Sequence, residues 1–371
     1  MHLQPIKAKK DKSNTANAIK LINPFKIAHL RQRDSGKNMT TILNLSNFDK
    51  SWTWLSEEFQ DEFTWSHITT SSNLTSKNSP IQAHVIGYLT AMSAVSSLRK
   101  SNRAIIVSHG PKITCYGATA AQVLNPQLPH LACSFNFTDL PTGITKKAMI
   151  AAFRQVSKFL TYSTVERHLY AEYFEIPIGK IDMLHWAVHP PYIDPNSIPI
   201  EAGPYICALG SQARDYATLF AAIEKLPNTK LVVVASRESI GNLRIPSNVR
   251  LYLEIPREKA LNILQHSQFM IVPLRDSRVP CGHVTIVSGM FYNKAILIAN
   301  SIGVHDYIKD GESGLFYTAG DAIDLRLKIT MLLEQPEVAL HIAKKGNQFA
   351  QANCNYKHVV NYFAKFVQTF E

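Results

Sequence analysis

Short apolar runs, often β-branched, alternate along the chain with longer segments of helical hydrophobic periodicity. In the first half this pattern predicts strands at 40–45, 63–69, 103–107, 130–135 and 158–162 and helices at 81–98, 114–123, 146–156 and 164–174. In the second half it predicts strands at 205–209, 230–235, 249–253, 269–272 and 295–299 and helices at 214–226, 257–266, 283–292, 321–333, 336–350 and 357–370. Alternating strands and helices are typical of parallel βαβ units. The predicted fold class is therefore α/β, with two Rossmann-like, doubly wound parallel-sheet domains facing a cleft.

The alternation breaks at a proline-rich segment, 177–203, which is the best domain boundary in the chain. We therefore predict one Rossmann-like domain at 39–176 and a second Rossmann-like domain at 204–355. The C-terminal helix, 356–371, is a candidate to cross back to the first domain.

Charge is unevenly distributed along the 371 residues. Residues 1–38 carry nine Lys or Arg and two acids, which leaves +4 of the total charge of +11 for the rest. A basic, disordered tail of this kind is either solvated or in peripheral contact with an anionic membrane. Nucleic-acid binding is disfavoured, because the excess charge does not lie on a folded stripe.

The five cysteines are widely spaced and form no C-x-x-C pair, which argues against a zinc site and favours a reducing compartment. The sequence has neither a secretory signal nor an apolar stretch of about 18–20 residues. We therefore expect a cytoplasmic protein, with contact at the inner membrane face as an additional hypothesis.

Three strand-to-helix junctions of the second half are candidates for binding a ligand. At the first, Gly210 permits a tight exit from the strand, Ser211 can accept or donate at the helix start, and Arg214 supplies a forked cation. A diphosphate there would meet backbone N–H groups, the positive end of the helix dipole and Arg214 together. A serine cap beside a surface Arg-Asp pair is the alternative.

The second junction opens the helix predicted at 283–292. Gly282 lets the backbone approach a ligand, and the N–H groups of His283, Val284 and Thr285 would be free donors at the helix start. An ordinary loop capped by Thr285 is the alternative.

At the third junction, Asp306 is a candidate to accept hydrogen bonds from sugar hydroxyls, and a turn aspartate is its alternative. In the first half, His109 and Asn136 each follow a strand, where polar groups are expected on the cleft side. Glu166 and Arg167 begin a helix, either as a capping pair or facing the cleft.

Taken in order, these segments resemble the retaining family 4 group of GT-B glycosyltransferases. The resemblance rests on Gly210-Ser211 with Arg214, the segment Gly282 to Met290 with Lys294, Gly303-Val304-His305-Asp306, and Asp310-Gly311-Glu312-Ser313-Gly314-Leu315. The chain departs from the family pattern where Ser211 replaces an arginine and where Pro280 and Ser288 stand at or close to the positions of two glutamates.

The resemblance implies a metal-independent hexosyltransferase of the retaining type, such as those of polysaccharide biosynthesis. It would use a nucleoside-diphosphate sugar as co-substrate, with no cofactor and no metal, and a glycan, lipid or small molecule as acceptor. The resemblance implies that Ser288 contacts the ribose and that Gly303 and Asp306 contact the sugar. The catalytic candidates would be His109, Asn136 and Asp306. His109 and Asn136 would line the reacting face and the acceptor from the acceptor-side domain 39–176, opposite the nucleotide-sugar-binding domain 204–355.

Two alternatives stay open: a nucleotide-sugar epimerase on the same fold, and a degenerate binding or partner subunit without turnover. A dinucleotide dehydrogenase is disfavoured, because no Gly-x-Gly-x-x-Gly follows any predicted strand.

Overall fold

Two six-stranded sheets form the centres of two α/β domains. The computed structural model describes residues 39–47, 53–69, 80–98, 101, 103–275 and 279–370, so the predicted basic tail lies outside the described residues. The strands of the first sheet are β1 Thr41–Ser46, β2 Thr64–Thr69, β3 Ala104–His109, β4 His130–Cys133, β5 Lys158–Thr161 and β6 Ile181–Met183. The strands of the second are β7 Ile206–Leu209, β8 Leu231–Ala235, β9 Val249–Leu253, β10 Met270–Val272, β11 Ile296–Asn300 and β12 Leu315–Thr318.

Helices connect the strands of both sheets. The first domain contains α1 Trp54–Glu58, α2 Pro80–Ser97, α3 Pro111–Leu124, α4 Gly143–Phe153 and α5 Thr164–Tyr173. The remaining helices are α6 Tyr216–Ile223, α7 Arg237–Ile240, α8 Arg257–His266, α9 His283–Phe291, α10 Ala322–Glu334, α11 Pro336–Asn353 and α12 Lys357–Gln368. Within the described ranges, no helix is both long enough and apolar enough to cross a membrane.

All strand pairs in both sheets are parallel, in the orders β2-β1-β3-β4-β5-β6 and β12-β11-β10-β7-β8-β9. Central strands of such sheets are covered on both faces and therefore consist of apolar residues throughout. The five residues of β8, Leu-Val-Val-Val-Ala, are all buried. The predicted α/β class with two Rossmann-like parallel sheets is confirmed.

Two short strands differ from the sequence prediction. A 3₁₀ turn at Ile178–Lys180 and β6 lie in the segment expected to be a linker, and β6 pairs with β5. The four-residue β12 also lay outside the predicted strands, and it follows a turn in which Asp310 Oδ1 accepts a hydrogen bond from Phe316 N. Strands of three or four residues are too short to show a period.

The C-terminal helix α12 packs on the first domain. Its Phe363 is 1% exposed, and its ring centroid lies 5.1 to 5.9 Å from those of Phe59, Phe63 and Trp65. These rings share one core with residues of β1 and β3. The first described residues and the C-terminal helix therefore lie in the same domain, and the two domains are coupled through both the segment after β6 and α12.

Phe363→Ala tests this coupling. Loss of the buried ring should cost about 3–5 kcal/mol and lower the midpoint of thermal unfolding by roughly 6 °C or more. Leu340→Ala on α11 is the control, because Leu340 is 64% exposed and its truncation should change the midpoint little. Equal midpoints for the two variants would contradict the packing of α12 against the first sheet.

Candidate functional site

The carboxyl ends of the strands in both sheets meet at a cleft. In the second domain, the loops after β7, β10, β11 and β12 lie at this edge, because carboxyl ends of parallel strands share one edge of their sheet. In the first domain, the loops after β4 and β5 lie opposite. Gln212 Nε2 in the loop after β7 donates a hydrogen bond to Thr138 Oγ1 in the loop after β4.

Arg214 is fixed beneath the loop that follows β7. Its side chain is 6% exposed, and Nη2 donates to Thr285 Oγ1 at 2.8 Å. Nε and Nη1 donate to the carbonyls of Leu209 and Gln212 at 3.3 and 2.8 Å. Gly210 permits this arrangement, because its φ is +110° and a Cβ there would lie 2.5 Å from Arg214 Nη2. The first and second predicted junctions are thus joined through the contact between Arg214 and Thr285.

Among the described residues, which exclude 276–278, no carboxylate forms an ion pair with Arg214. Its acceptors are two backbone carbonyls and one hydroxyl. Burying a cation is costly unless it is paired with an anion. This position therefore favours an anionic ligand.

The start of α9 lies beside Arg214. Gly282 caps the helix with φ +96° and ψ −7°, in the left-handed region that favours glycine. Its carbonyl accepts from Thr285 N and Ile286 N at 3.0 and 2.9 Å. The helix itself offers no acceptor to the N–H groups of His283 and Val284, which precede its first internal hydrogen bonds. These two backbone donors and the positive end of the helix dipole suit an anionic oxygen.

The His283 side chain connects α9 to the loop after β11. It is 6% exposed, its Nε2 donates to the carbonyl of Gly303 at 3.2 Å, and its ring stacks on Tyr307 at 4.8 Å between centroids. Burial lowers the pKa of His283 to about 4. The imidazole is therefore neutral at neutral pH and positions the loop, whereas any contact of His283 with phosphate would use its backbone N–H.

The residues that stand near the family's two glutamate positions have other contacts. Pro280 packs on Gly303, whose φ is +84°, and a Cβ on Gly303 would lie 2.4 Å from the Pro280 Cβ. Ser288 donates its hydroxyl to the carbonyl of Val284 at 2.7 Å. Ser211 Oγ accepts a hydrogen bond from Ser236 N at 2.7 Å. The hydroxyl oxygens of Ser288 and Ser211 each have a lone pair that can accept a hydrogen bond from a ligand.

Asp306 joins the two domains. Its carboxylate accepts from Thr164 N at 2.8 Å and from Thr164 Oγ1 at 2.9 Å, at the first residue of α5. The next residue, Tyr307, donates its hydroxyl to the carbonyl of Tyr162 at 2.8 Å, and His185 Nε2 donates to the Asp306 carbonyl at 2.9 Å. The sequence indicated a contact of Asp306 with the sugar but gave no signal for Thr164, which lies 142 residues earlier.

A cavity of about 460 Å³ lies between this bridge and the second sheet. Thr164 and Val165 line it from the first domain. From the second domain it is lined by the loop after β11, including Gly303 and Asp306, and by Thr318 at the end of β12. This volume is within the range of small-molecule sites, roughly 300–1,000 Å³. Its lining is rich in hydroxyl and backbone groups.

The structure places the two candidates of the first domain differently. Asn136 is exposed on the loop after β4. His109 is 3% exposed and donates from Nε2 to Asn44 Oδ1 at 2.9 Å, and Asn44 Nδ2 donates to His67 Nδ1 at 3.0 Å. Burial lowers the pKa of His109 to about 3, so its imidazole is neutral. His109 lies under the cleft surface, because β3 carries it inside the sheet edge.

Glu166 is the buried capping residue of α5. Ser163 Oγ accepts from Glu166 N, and the Glu166 carboxylate accepts from Tyr162 N, Ser163 Oγ and Tyr170 Oη at 2.9 to 3.2 Å. Burial raises its carboxyl pKa to about 7, against the opposing effect of these donors. Glu166 fits the capping alternative of the sequence, with Ser163 as the N-cap, whereas Arg167 donates from Nε to the carbonyl of Ile181 at 2.8 Å.

Residues 212–349 match the family model described as "Glycosyl transferases group 1". No curated protein matches the chain at the level of sequence. A solved glycosyltransferase from Rickettsia africae ESF-5 is 17% identical with a TM-score of 0.66, over 90% of this chain and 100% of that one.

HepE from Anabaena, solved in complex with UDP and glucose, is 14% identical with a TM-score of 0.68, over 90% and 100% of the two chains. Sucrose-phosphate synthase from Thermosynechococcus elongatus is 13% identical with a TM-score of 0.68, over 90% and 99%. At these identities the similarity shows the fold, and the predicted GT-B architecture is confirmed.

Gly303→Ala tests the contact between the loop after β11 and Pro280. The new Cβ meets Pro280 at 2.4 Å in addition to the strain of a positive φ. Gly311→Ala is the matched control, because Gly311 has φ +70° with no atom within 4 Å of the new Cβ. Gly303→Ala should lower the free energy of unfolding by about 1–3 kcal/mol more than Gly311→Ala does, as measured by thermal unfolding. Equal costs would exclude the close contact.

Glu166→Gln tests the buried carboxyl. Its pKa rises from an ordinary 4.5 to about 7 on folding, so the folded state holds the proton more tightly than the unfolded state. Stability from this group is full at low pH and is lost as the pH rises through about 7. Between about pH 5 and pH 8, the wild type should lose roughly 3 kcal/mol relative to Glu166→Gln. Glu172→Gln, exposed on the same helix, should show no such divergence, and parallel curves for Glu166→Gln would refute the shifted pKa.

Proposed function

We propose that this protein is a glycosyltransferase that moves a hexosyl group from a nucleoside-diphosphate sugar to an acceptor hydroxyl without a bound metal. The observation that carries the proposal is the buried Arg214 guanidinium, bonded to Thr285 beside the start of α9. This arrangement lies within the span that matches the glycosyltransferase family model. HepE, which has the same fold, binds UDP, and UDP is the first nucleotide to test.

The donor diphosphate is assigned to the space between Arg214 and the N–H groups of His283 and Val284. A guanidinium has five N–H donors, and Arg214 uses three for protein acceptors, which leaves donors for phosphate oxygens. As the glycosidic bond breaks, negative charge grows on the leaving diphosphate. Fixed donors aimed at that charge stabilise the transition state, and they can take the place of a metal ion.

The donor sugar is assigned to the cavity beside Gly303 and Asp306. A carboxylate has about four acceptor positions, and Thr164 occupies part of those on Asp306, so sugar hydroxyls can use the others. Ser288 Oγ is assigned to a ribose hydroxyl. Asn136 is assigned to the acceptor, while the buried His109 bonds to Asn44 of β1.

From the sequence resemblance, we also propose that the enzyme retains the configuration at the anomeric carbon, is related to family 4 and acts in polysaccharide biosynthesis. The proposed acceptor is a glycan, a lipid or a small molecule. A cytoplasmic location is part of it, supported by five cysteines that are all unpaired.

A binding or partner subunit without turnover is the second candidate. Pro280 packs on Gly303 near a position where the resembled family has a glutamate, and proline has no side-chain acceptor for the sugar. Binding of a nucleoside diphosphate without transfer from any donor would favour this candidate. Conversion of the donor without an acceptor would instead indicate an epimerase.

The test begins with thermal unfolding in the presence of UDP, GDP, ADP and their hexose conjugates. One nucleotide should raise the unfolding midpoint, because it binds the folded state. Arg214→Ala should lower the affinity for that nucleotide by about tenfold or more, since a hydrogen bond to a charged group contributes roughly 1.5–3 kcal/mol. Transfer by the wild type should persist with a chelator present.

Arg244→Ala is the matched control. Arg244 is 88% exposed and pairs with Glu224, away from the cleft edge, so its removal should leave nucleotide binding unchanged. Unchanged binding in Arg214→Ala would overturn the diphosphate assignment, and the absence of any stabilising nucleotide would overturn the proposed function.

A further inference from the structure

Three helices of the first domain present one continuous face. α2 packs on α3, and α3 packs on α4, over the same side of the first sheet. In a parallel sheet each of these helices begins after the carboxyl end of a strand. The starts of α2, α3 and α4 therefore form a rim at the mouth of the cleft. We call these helix starts, together with the outer stripe of α2, the α2–α4 rim.

Large apolar side chains are exposed on the α2–α4 rim. Ile81, Val85 and Leu89 on α2 are 75%, 51% and 65% exposed. Their spacing of four residues puts them on one stripe of the helix. Ile144, in the first turn of α4, is 87% exposed. Single exposed apolar residues are ordinary, but the stripe on α2, on the same rim as Ile144 with α3 between them, indicates an interaction surface.

The charges of the rim have one sign. The sequence of α2 contains no charged residue, α3 contains Lys112, and α4 contains Lys146 and Lys147, while none of the three helices contains Asp or Glu. Lys112 lies in the first turn of α3, and Lys146 and Lys147 follow the exposed Ile144 near the start of α4. Lys146 Nζ lies 3.9 Å from the ring centroid of Tyr173 on α5.

A helix of the second domain gives the contrast. α10 also exposes two apolar side chains four residues apart, Ile323 at 63% and Leu327 at 59%. Its sequence, however, mixes Asp324 and Glu334 with Arg326 and Lys328. Acids there would repel an anionic surface, whereas α2, α3 and α4 have apolar groups, lysines and no acids, and the loop that leads from β4 into α4 contains one acid, Asp139.

We propose that the α2–α4 rim docks on the surface of an anionic lipid bilayer. Apolar side chains that enter the headgroup boundary and lysines that meet lipid phosphates are the two components of interfacial binding. The inference rests on the proposed function and narrows it. A rim at the mouth of the cleft would bring the first domain against the bilayer, so the acceptor hydroxyl would belong to a membrane-borne, lipid-linked molecule.

The test is sedimentation of the full chain with vesicles, without nucleotide. Binding is compared between vesicles of phosphatidylcholine alone and vesicles that also contain phosphatidylglycerol. The wild type should bind the anionic vesicles and be released by salt. Lys146→Glu/Lys147→Glu should lower the partition coefficient about tenfold or more, since each lysine near an anionic surface contributes about fivefold. Ile81→Ser/Val85→Ser/Leu89→Ser should lower it by a similar factor.

Ile323→Ser/Leu327→Ser on α10 is the matched control and should bind like the wild type. Both rim variants should keep the unfolding midpoint and the nucleotide-induced rise of the wild type, which shows that they are folded. Equal vesicle binding by wild type and rim variants would overturn the proposal, whatever the basic tail contributes. Loss of self-association in a rim variant would overturn it too, because the rim would then bind a second copy. Vesicle binding needs no nucleotide, so this outcome is independent of the proposed function.

Discussion

The loop of residues 303–307 fixes the geometry of the cleft, because it is bound to both domains at once. On one side, the Gly303 carbonyl accepts from the His283 ring at the start of α9. On the other, the Asp306 carboxylate accepts from the first residue of α5, and Tyr307 donates to the carbonyl of Tyr162. The loop cannot shift without breaking contacts on both sides. The position of the first domain relative to the start of α9 therefore depends on this loop, together with the bond from Gln212 to Thr138 and the packing of α12 on the first domain.

Charge and shape are supplied by different side chains at this site. Burial keeps His283 neutral, so its imidazole can pack against Tyr307 without attracting an anion by its own charge. The positive potential comes from Arg214 and from the dipole of α9. Gly210 and Gly282 have positive φ angles, and these backbone conformations allow Arg214 and the start of α9 to approach each other. An anion would be bound by parts that are already in place, so little ordering would be needed on binding.

The sequence predicted the sheets and the strand-to-helix junctions after β7 and β10, because buried parallel strands and glycines near helix starts leave local patterns. The third predicted junction, at Ser301 to Tyr307, was wrong in form, since it connects β11 to β12 and does not lead into a helix. The sequence did not predict β6 or β12, which are too short to show a period. Nor did it predict the bridge from Asp306 to Thr164, since contacts between residues 142 apart leave no local signal. His109 shows a third limit: a polar residue at a strand end can turn inward and bond to Asn44. Hydrophobic periodicity predicts where the strands and helices lie. Which side chains reach the cleft depends on their rotamers and on neighbouring loops, which the periodicity does not predict.

The substitutions near the two glutamate positions change what can orient a sugar. A glutamate near the position of Pro280 would place a second negative charge close to Asp306, and each acid near α9 would offset part of the positive potential of Arg214. With Pro280 packed on Gly303 and Ser288 bonded to Val284, that potential is less opposed. This more positive potential favours the binding of an anion. The same positions, however, then provide no charged acceptors for sugar hydroxyls. In the proposed function, the sugar is oriented by backbone groups, hydroxyls and the walls of the cavity, whose shape depends on the same loop that joins the domains.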